Sequence, residues 1–322
     1  MNKNITDIVI ISYNTNELTL ECIESVYKTA DDLIDKIIVV DNASEDDSVN
    51  AIKQKFPDVK LIKNSENLGY AKAVNIGVKA SSAEYVIISN QDVLYHADSI
   101  KLLIEYIKAA PKVGAAGPQQ IYPDGSWQYS KGDLPGIKLG LKKLFLINHI
   151  AEYVQKSSWK KGRRKTKPED TSYLDGAVIA VRRKAFDDVN GFDEDYFFYT
   201  EEADFCYKLK KEGWNIKHIP VSIVTHFRGA TDNHEGINIK RLRQMIGSKR
   251  LFCEKRISFQ ETKFYMICEI LYSLNMTVIW FLINLFLSGE NKKKSKMKIE
   301  LNRLFFQLWI DEFNKFLIRN EQ

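Results

Sequence analysis

Ile37-Ile38-Val39-Val40-Asp41-Asn42-Ala43-Ser44 is the stretch whose reading decides the fold. Four β-branched residues in an unbroken run predict a short strand buried on both faces. The run stops at an acid followed by small and polar residues, the composition of a turn. Before it, Ile8-Val9-Ile10-Ile11 reads as another buried strand, and Leu18 to Lys28, with Leu18, Cys22 and Val26 on one face, as a helix. After it, Ser44 and Asp47 resemble a capping box for a helix from about Glu45 to Lys55. The alternation continues with a strand at Lys60–Lys63, a helix near Ala71–Lys79 and a strand at Tyr85–Ser89. A helix near Ser99–Ala109 and a strand near Val113–Gly117 follow. Strands alternating with helices over short loops imply an α/β fold with a mainly parallel central sheet flanked by helices. Ligands of such sheets bind beyond the carboxyl ends of the strands. Asp41 and Asp92 both stand there.

Composition narrows the class. The 322 residues are 44% hydrophobic and 28% charged, as in an ordinary globular protein. A formal charge of +5 gives no argument for nucleic acid as a partner. Basic residues do cluster, at Lys160–Lys167 and at Lys292–Lys298. The four cysteines form no Cys-x-x-Cys pair, which argues against a zinc site and a disulfide framework. The apolar run at Ile8–Ile11 is too short for a signal peptide, so a cytoplasmic location is expected.

Between Gln119 and about Asp170 the periodicity weakens, with turns at Pro123-Asp124-Gly125 and Pro135-Gly136. The basic segment Trp159–Lys167 reads as a mobile loop, or as a lid gripping phosphates or lipid headgroups. Ala177–Val181 reads as a strand and Arg183–Val189 as a helix ending at Gly191. Asn215–Ile219 and Ser222–Thr225 read as strands leading into His226-Phe227-Arg228-Gly229. Between these lies Tyr196–Trp214, where four aromatic residues run into Glu201, Glu202 and Asp204 at the start of a helix that ends at Gly213. Acids in a first helical turn suit the helix dipole, so capping and chemistry are both open readings.

Each polar residue at a strand end has two readings. Asp92, in Asn90-Gln91-Asp92, is a polar turn or an oxygen ligand for a divalent cation whose other ligands come from a nucleotide diphosphate. His226 is a structural histidine or a further metal ligand. Asp41 caps a helix or accepts hydrogen bonds from a base edge. Asn67-Leu68-Gly69 closes a loop or lets the backbone pass close to a ligand.

Taken together, these motifs resemble family 2 glycosyltransferases of the GT-A fold (Rossmann-like) over roughly residues 5–230. Val9-Ile10-Ile11-Ser12-Tyr13-Asn14 resembles the family's opening strand and loop, and Asp41-Asn42-Ala43-Ser44 its nucleotide-binding acidic turn. Asn64 to Asn75 is similar to the segment over the nucleotide. Asn90-Gln91-Asp92 resembles a degenerate Asp-x-Asp metal motif. Gly191-Phe192-Asp193 followed by Phe197–Cys206 is similar to the catalytic segment. The resemblance implies that Glu202 is the general base, with Glu201 and Asp204 supporting acceptor binding. It places Ser12, Tyr13, Asn14, Asp41, Asn67, Gly69, Asn75, Asn90 and Gln91 on the nucleotide sugar. Asp175, Gly176 and Ala177 fall on the acceptor side, and Asp92 and His226 on Mg²⁺ or Mn²⁺. Trp127 or Trp214 is a candidate sugar platform.

The implied reaction is inverting transfer from a UDP- or dTDP-sugar to a saccharide or polyprenyl-diphosphate-linked acceptor in bacterial surface polysaccharide synthesis. Tyr199–Cys206 looks most like rhamnosyltransferase-type members, which makes rhamnose the candidate sugar. Two positions depart from the family: the base is usually Asp, and the first acid of the metal motif is Asn90 here. A sugar nucleotidyltransferase is a competing reading, but it would carry a glycine-rich basic loop where Ser12-Tyr13-Asn14-Thr15 stands. A non-catalytic membrane-docked scaffold is the other, and Asn90 favours it.

The expected division is a glycosyltransferase domain over residues 1–235 and a helical extension over 236–322. Phe264–Leu287, at about 1.5 Å per helical residue, is long enough for a bilayer core of about 30 Å. Basic residues flank it on both sides, without positive-inside asymmetry. Leu301, Leu304, Phe305, Leu308, Trp309, Phe313, Phe316 and Leu317 form a second apolar stripe. Helices lying on the anionic inner face of the cell membrane, or forming a homodimer interface, are expected rather than a span.

Overall fold

The computed structural model describes residues 6–30, 32–229 and 237–320. Its first half follows the β-branched runs: β1 (Thr6–Ser12), α1 (Asn16–Ala30), β2 (Lys36–Asp41), α2 (Ser48–Lys55), β3 (Lys60–Lys63), α3 (Tyr70–Lys79) and β4 (Tyr85–Asn90). Next come β5 (Val93–Tyr95), α4 (Ser99–Ala109), β6 (Val113–Ile121), β7 (Lys131–Gly132), α5 (Ile137–Leu144) and α6 (Ile147–Lys160). After them run β8 (Glu169–Asp170), β9 (Tyr173–Leu174), β10 (Val178–Arg182), α7 (Arg183–Asp188), α8 (Glu201–Lys211) and β11 (Asn215–His226). The last three are α9 (Ile239–Arg256), α10 (Phe259–Leu285) and α11 (Gly289–Asn320).

The main sheet has the order β3-β2-β1-β4-β10-β6-β11-β5, with β8 beside β11. Strands β3, β2, β1 and β4 are parallel, as expected. Beyond them the sheet is mixed, because β10 runs antiparallel to both β4 and β6. Sequence alternation carries no sign of strand direction, so this reversal was not legible. It matters for function. The start of β10 lies where β4 ends, with Val178 opposite Ser89, which carries Asp175–Ala177 to the rim that holds Asp92.

The apolar runs are buried on both sides, as unbroken runs require. Ile8, Ile10 and Val39 pack with Ile23, Val26 and Leu103 of α1 and α4. Val9, Ile11 and Val40 pack on the other side with Val74 and Val78 of α3 and Phe205 of α8. With backbone and core satisfied, the polar residues at the strand ends are left for other work.

Several local expectations change. Helix α2 begins at Ser48 and not near Glu45, and its N-cap Asp47 makes no side-chain cap bond. Ser44 Oγ instead accepts the Asn14 N–H at 3.0 Å, tying two loops together. The two strands expected over Asn215–Thr225 are one, β11, whose register shifts between Ile219 and Ile223. Pro220 lies within that shift and has no N–H to give the ladder. Trp159 and Lys160, expected in a loop, complete α6, and the Trp159 indole N–H donates to Gly125 O at 2.9 Å.

The chain forms two units: Met1–Gly132 with Gln155–Asn233, and Asp133–Val154 with His234–Gln322. The expected boundary at 235/236 lies outside the described residues. The second unit also takes in α5, because Gly140 packs on Cys268 and Lys143 pairs with the buried Glu269 of α10. All four cysteines are buried free thiols.

Candidate active site

Three loops at the carboxyl ends of β1, β2 and β3 are bound into one cradle. Asn42 is its hub. Its amide donates to Asn67 Oδ1 at 2.9 Å and to Gly69 O at 3.3 Å, and its Oδ1 accepts from Asn64 Nδ2 at 3.0 Å and the Leu68 N–H at 3.1 Å. Asn14 Oδ1 accepts the Glu45 N–H at 2.8 Å. Asp41 is fully buried: Oδ2 accepts the Ser44 N–H at 3.1 Å, while Oδ1 has no partner. A buried acceptor without a donor costs about 1–3 kcal/mol. Gly69 closes the cradle with φ +82°, and a Cβ there would lie 2.5 Å from the Phe197 carbonyl oxygen. Only glycine combines that conformation with that approach.

Across the rim, His226 ends β11 opposite Val93, and the Phe227 N–H donates to Asp92 O at 2.9 Å. The His226 Nε2 lies 3.4 Å from Asp92 Oδ1, which is buried and has no hydrogen-bond partner. On its other side His226 Nδ1 meets Gln120 Oε1 at 2.9 Å and Gln128 Oε1 at 2.8 Å. Among the described residues no three His, Cys, Asp or Glu side chains converge as a metal site. Asp92 and His226 thus face each other as a pair, with no third such side chain converging on them among the described residues.

The third component is the start of α8. Tyr199 and Thr200 both have positive φ, 73° and 71°, immediately before Glu201. Non-glycine residues in that region cost of order 1–3 kcal/mol each, strain that clusters at functional sites. Thr200 provides no side-chain cap, and the Glu202 carboxyl meets the Glu202 and Ala203 N–H groups of the first turn, so part of what these acids do is capping. Glu201 is buried, with Oε2 unpartnered. Burial first, then the neighbouring Glu202, pushes its pKa well above the ordinary carboxylate range. Glu202 is pushed up to about 7 by burial and then by Asp175, against the lowering effect of Arg228. Its side chain lies against Gly176, where an added Cβ would be 3.5 Å from Glu202 Cβ.

Tyr70 joins these parts. Its hydroxyl donates to Gly176 O at 3.1 Å, and its own N–H donates to Phe197 O at 2.7 Å. Burial, followed by the charges of Glu201, Glu202, Asp92 and Asp175, pushes the phenol pKa well up. The charges of four carboxylates from three segments thus act on one phenol. Asn90 binds the same region, donating its N–H to Ala177 O at 2.9 Å.

A model of the glycosyl transferase family 2 matches residues 7–189, more than half of the chain. The chain belongs to glycosyl transferase family 2. A second model, glycosyl transferase family group 2, matches residues 145–291. An N-acetylglucosaminyl-diphospho-decaprenol L-rhamnosyltransferase of Mycobacterium tuberculosis is 32% identical over 203 residues, covering 60% of this chain and 66% of that protein. A mannosyltransferase from Pyrobaculum calidifontis, solved with GDP-Man and Mn²⁺, superposes with a TM-score of 0.59 at 16% identity, over 96% of this chain and 86% of that one. GalNAc-T7, solved with UDP, GalNAc and Mn²⁺, gives a TM-score of 0.55 at 17% identity, over 78% of this chain and 50% of that one. These two likenesses establish the GT-A fold.

Within this family 2 chain some expected site residues take other work. The Ser12 hydroxyl faces α1 and bonds Thr19 Oγ1 at 3.0 Å, and Ser12 is fully buried. Asn75 uses both N–H donors on Phe192 O and Glu194 Oε1, each at 2.9 Å, and accepts the Phe192 N–H. It anchors the 191–194 segment instead of binding a ligand. Asp204 is fully buried and accepts the Tyr196 hydroxyl at 3.3 Å, so it holds the aromatic run and does not join Glu201 and Glu202. Trp214 follows the far end of α8, about 16 Å from the helix start at about 1.5 Å per residue. It closes the helix there, its N–H donating to Leu209 O, and is no sugar platform. Tyr13 is 41% exposed at the cradle edge. Asn67 Oδ1 clips its own loop, and Asn90 and Gln91 form the turn into β5.

Gln120, Gln128, Tyr70 and Asn42 were not singled out as site residues in the sequence. Gln119-Gln120 did carry a signal, a polar pair ending an apolar strand just as Asp41 ends β2. Asp175 sits between the two halves: Gln120 Nε2 donates to Oδ1 at 3.0 Å, and Arg228 pairs with Oδ2.

Proposed function

We propose that the chain is an inverting glycosyltransferase that moves a sugar, with rhamnose the first candidate, from a UDP- or dTDP-sugar to a saccharide or polyprenyl-diphosphate-linked acceptor in surface polysaccharide synthesis. The observation that carries this reading is Glu202. It is a partly buried carboxylate with its pKa raised to about 7, beside Gly176, and its charge acts with that of Asp92 on the Tyr70 phenol. A general base works best when its pKa lies near the operating pH. Glu202 accepts the proton of the acceptor hydroxyl as that oxygen bonds to the anomeric carbon. The bond from that carbon to the diphosphate breaks, and its electron pair leaves with the nucleoside diphosphate. Glu201, whose pKa is pushed well up by burial and by Glu202, orients the acceptor. Asp41 Oδ1 takes a base N–H, and the Asn42-bound loops hold the nucleotide in place.

Asp92 and His226 are the residues that would hold a divalent cation, Mg²⁺ or Mn²⁺. The unpartnered Asp92 Oδ1 fits that role, and the Mn²⁺ bound by both structural neighbours supports it. Bound there, the cation would offset negative charge on the departing diphosphate. The rhamnose and lipid-linked acceptor readings draw support from the Mycobacterium tuberculosis relative.

The test is a donor screen, with dTDP-rhamnose first, against an N-acetylglucosaminyl-diphospho-polyprenol acceptor. Nucleoside diphosphate release that depends on both acceptor and divalent metal is expected. Release with no donor would leave the scaffold reading in possession. Formation of a nucleotide sugar from sugar phosphate would instead make the chain a nucleotidyltransferase.

The second unit supports work at a membrane surface on the cytoplasmic side. Helix α10 is 27 residues long and contains an 18-residue stretch of mean hydropathy 1.8. Its interior face carries Thr262, Glu269 and Ser273, while Phe264, Ile267, Leu271, Leu274, Val278 and Phe281 are 37–51% exposed. These exposed positions recur every three or four residues, one continuous face turned outward. Lys292, Lys293 and Lys294 follow in α11, and Lys298 Nζ stands 3.8 Å from the Trp280 ring centre. Basic residues beside an apolar face suit an anionic bilayer, at about 1 kcal/mol per cation near the surface. Leu271→Glu with Leu274→Glu is expected to abolish flotation with phosphatidylglycerol vesicles while leaving the melting temperature in place. Undiminished flotation would sink this reading, and loss of a solution dimer in the same variant would assign the face to a second copy.

A further inference from the structure

We infer that Gln120 and Gln128 are positioning residues that lock His226 in its Nδ1-protonated tautomer, turning the Nε2 lone pair toward Asp92 to receive a divalent cation. The inference deepens the proposed metal role of Asp92 and His226 and rests on that reading for its second half.

The argument begins with which way each amide points. Gln120 Nε2 faces Asp175 Oδ1 at 3.0 Å, and a carboxylate oxygen paired with Arg228 can only accept. The nitrogen end of Gln120 is thereby dictated, and its oxygen must be the atom at 2.9 Å from His226 Nδ1. Gln128 Nε2 faces the backbone carbonyl of His226 itself at 3.0 Å, also an acceptor only. Its oxygen must then be the atom at 2.8 Å from Nδ1. Two acceptors converge on one ring nitrogen, each oriented by a partner that is not the ring. That nitrogen carries the proton, and the neutral ring then has its lone pair on Nε2.

On the other side of the ring, Nε2 faces Asp92 Oδ1 at 3.4 Å with both side chains buried, and no hydrogen bond joins them. Two lone pairs facing each other across a short gap are unfavourable alone and favourable around a cation. A metal-binding imidazole commonly has its other nitrogen bonded in this way, and removing such partners typically costs about 10–100-fold in metal affinity. Here the partners are two amides, which impose the tautomer without adding charge. Gln120 also links the imidazole directly to Asp175 on the acceptor side.

The experiment uses the full chain with ¹⁵N-labelled histidine. Two-bond ¹⁵N–¹H correlations of the metal-free protein are recorded, with the His226 signals identified by comparison with His226→Ala. The δ1-protonated pattern is expected, and an ε2-protonated His226 overturns the inference without any variant needing to fold. In parallel, Mn²⁺ alone is titrated and the free ion counted by electron paramagnetic resonance. Gln120→Met with Gln128→Met is expected to weaken Mn²⁺ about 10–100-fold and to let the ε2 form appear. A double variant with wild-type tautomer and affinity overturns the lock. If His226→Ala binds Mn²⁺ as tightly as wild type while the δ1 tautomer is present, the metal half falls and the amide lock stands.

Discussion

Glu202→Gln lowers turnover for sugar transfer by about 10²–10⁴-fold, the range that a positioned general base contributes. The amide keeps the size and the contact with Gly176 but cannot take a proton from the acceptor hydroxyl. Donor binding survives, because the cradle around Asp41 and Asn42 is untouched, so the loss falls on kcat. The pH profile adds a second signature. Glu202 is a base only when ionised and its pKa is raised to about 7, so kcat/KM rises with pH through about 7 and levels above it. In the variant that limb disappears from the residual activity. Glu201→Gln separates the two acids. Burial and the charge of Glu202 push the Glu201 pKa well up, toward the protonated form that an amide imitates closely. Its replacement costs several-fold at most. If Glu201→Gln abolished transfer and Glu202→Gln did not, the assignments would have to be exchanged.

Asp92→Asn removes metal-dependent transfer and leaves the protein no less stable. Asp92 Oδ1 is a buried carboxylate oxygen facing a ring nitrogen with no donor between them. Holding it unpaired costs about 1–3 kcal/mol of folding free energy. An asparagine amide can donate to the Nε2 lone pair and recover part of that cost, so the metal-free melting temperature is expected to rise. Activity is expected to fall by at least about 10²–10³-fold, as when one electrostatic stabiliser of a developing anion is lost. Higher stability with lost function is the pattern of a residue kept for chemistry. A lower melting temperature with activity retained at saturating Mn²⁺ would make Asp92 structural and move the metal elsewhere.

How much of this was readable in the chain depends on whether the signal was local. Ile37–Val40 announced a strand buried on both faces because every residue in the run is β-branched, and the acid ending it marked a ligand-binding rim. Asp41, Asp92, Glu202 and His226 could be nominated because each ends or follows a strand or opens a helix, and Asp175 through the family resemblance. The division of labour among them could not, since it depends on which neighbours each side chain meets. Ser12, Asn75 and Asp204 had sequence positions as good as those of Asp41 and Glu202. Packing turned them toward Thr19, Phe192 and Tyr196 instead. The outward face of α10 is a similar case. Its composition allowed a span, a surface helix or an interface, and only the burial of Glu269 against Lys143 showed which side faces inward.

By itself, then, the sequence determined the alternating strands and helices, the rim on which chemistry takes place, and the family. Those follow from short-range periodicity and from residues adjacent in the chain. The tertiary structure alone decided the antiparallel course of β10, which brings Asp175 and Gly176 to Glu202. It alone decided the meeting of Gln120, Gln128 and His226 from separate segments. Strand direction and side-chain partners across about a hundred residues of chain leave no periodic trace. They are set by which buried polar groups must find each other once the apolar faces have closed.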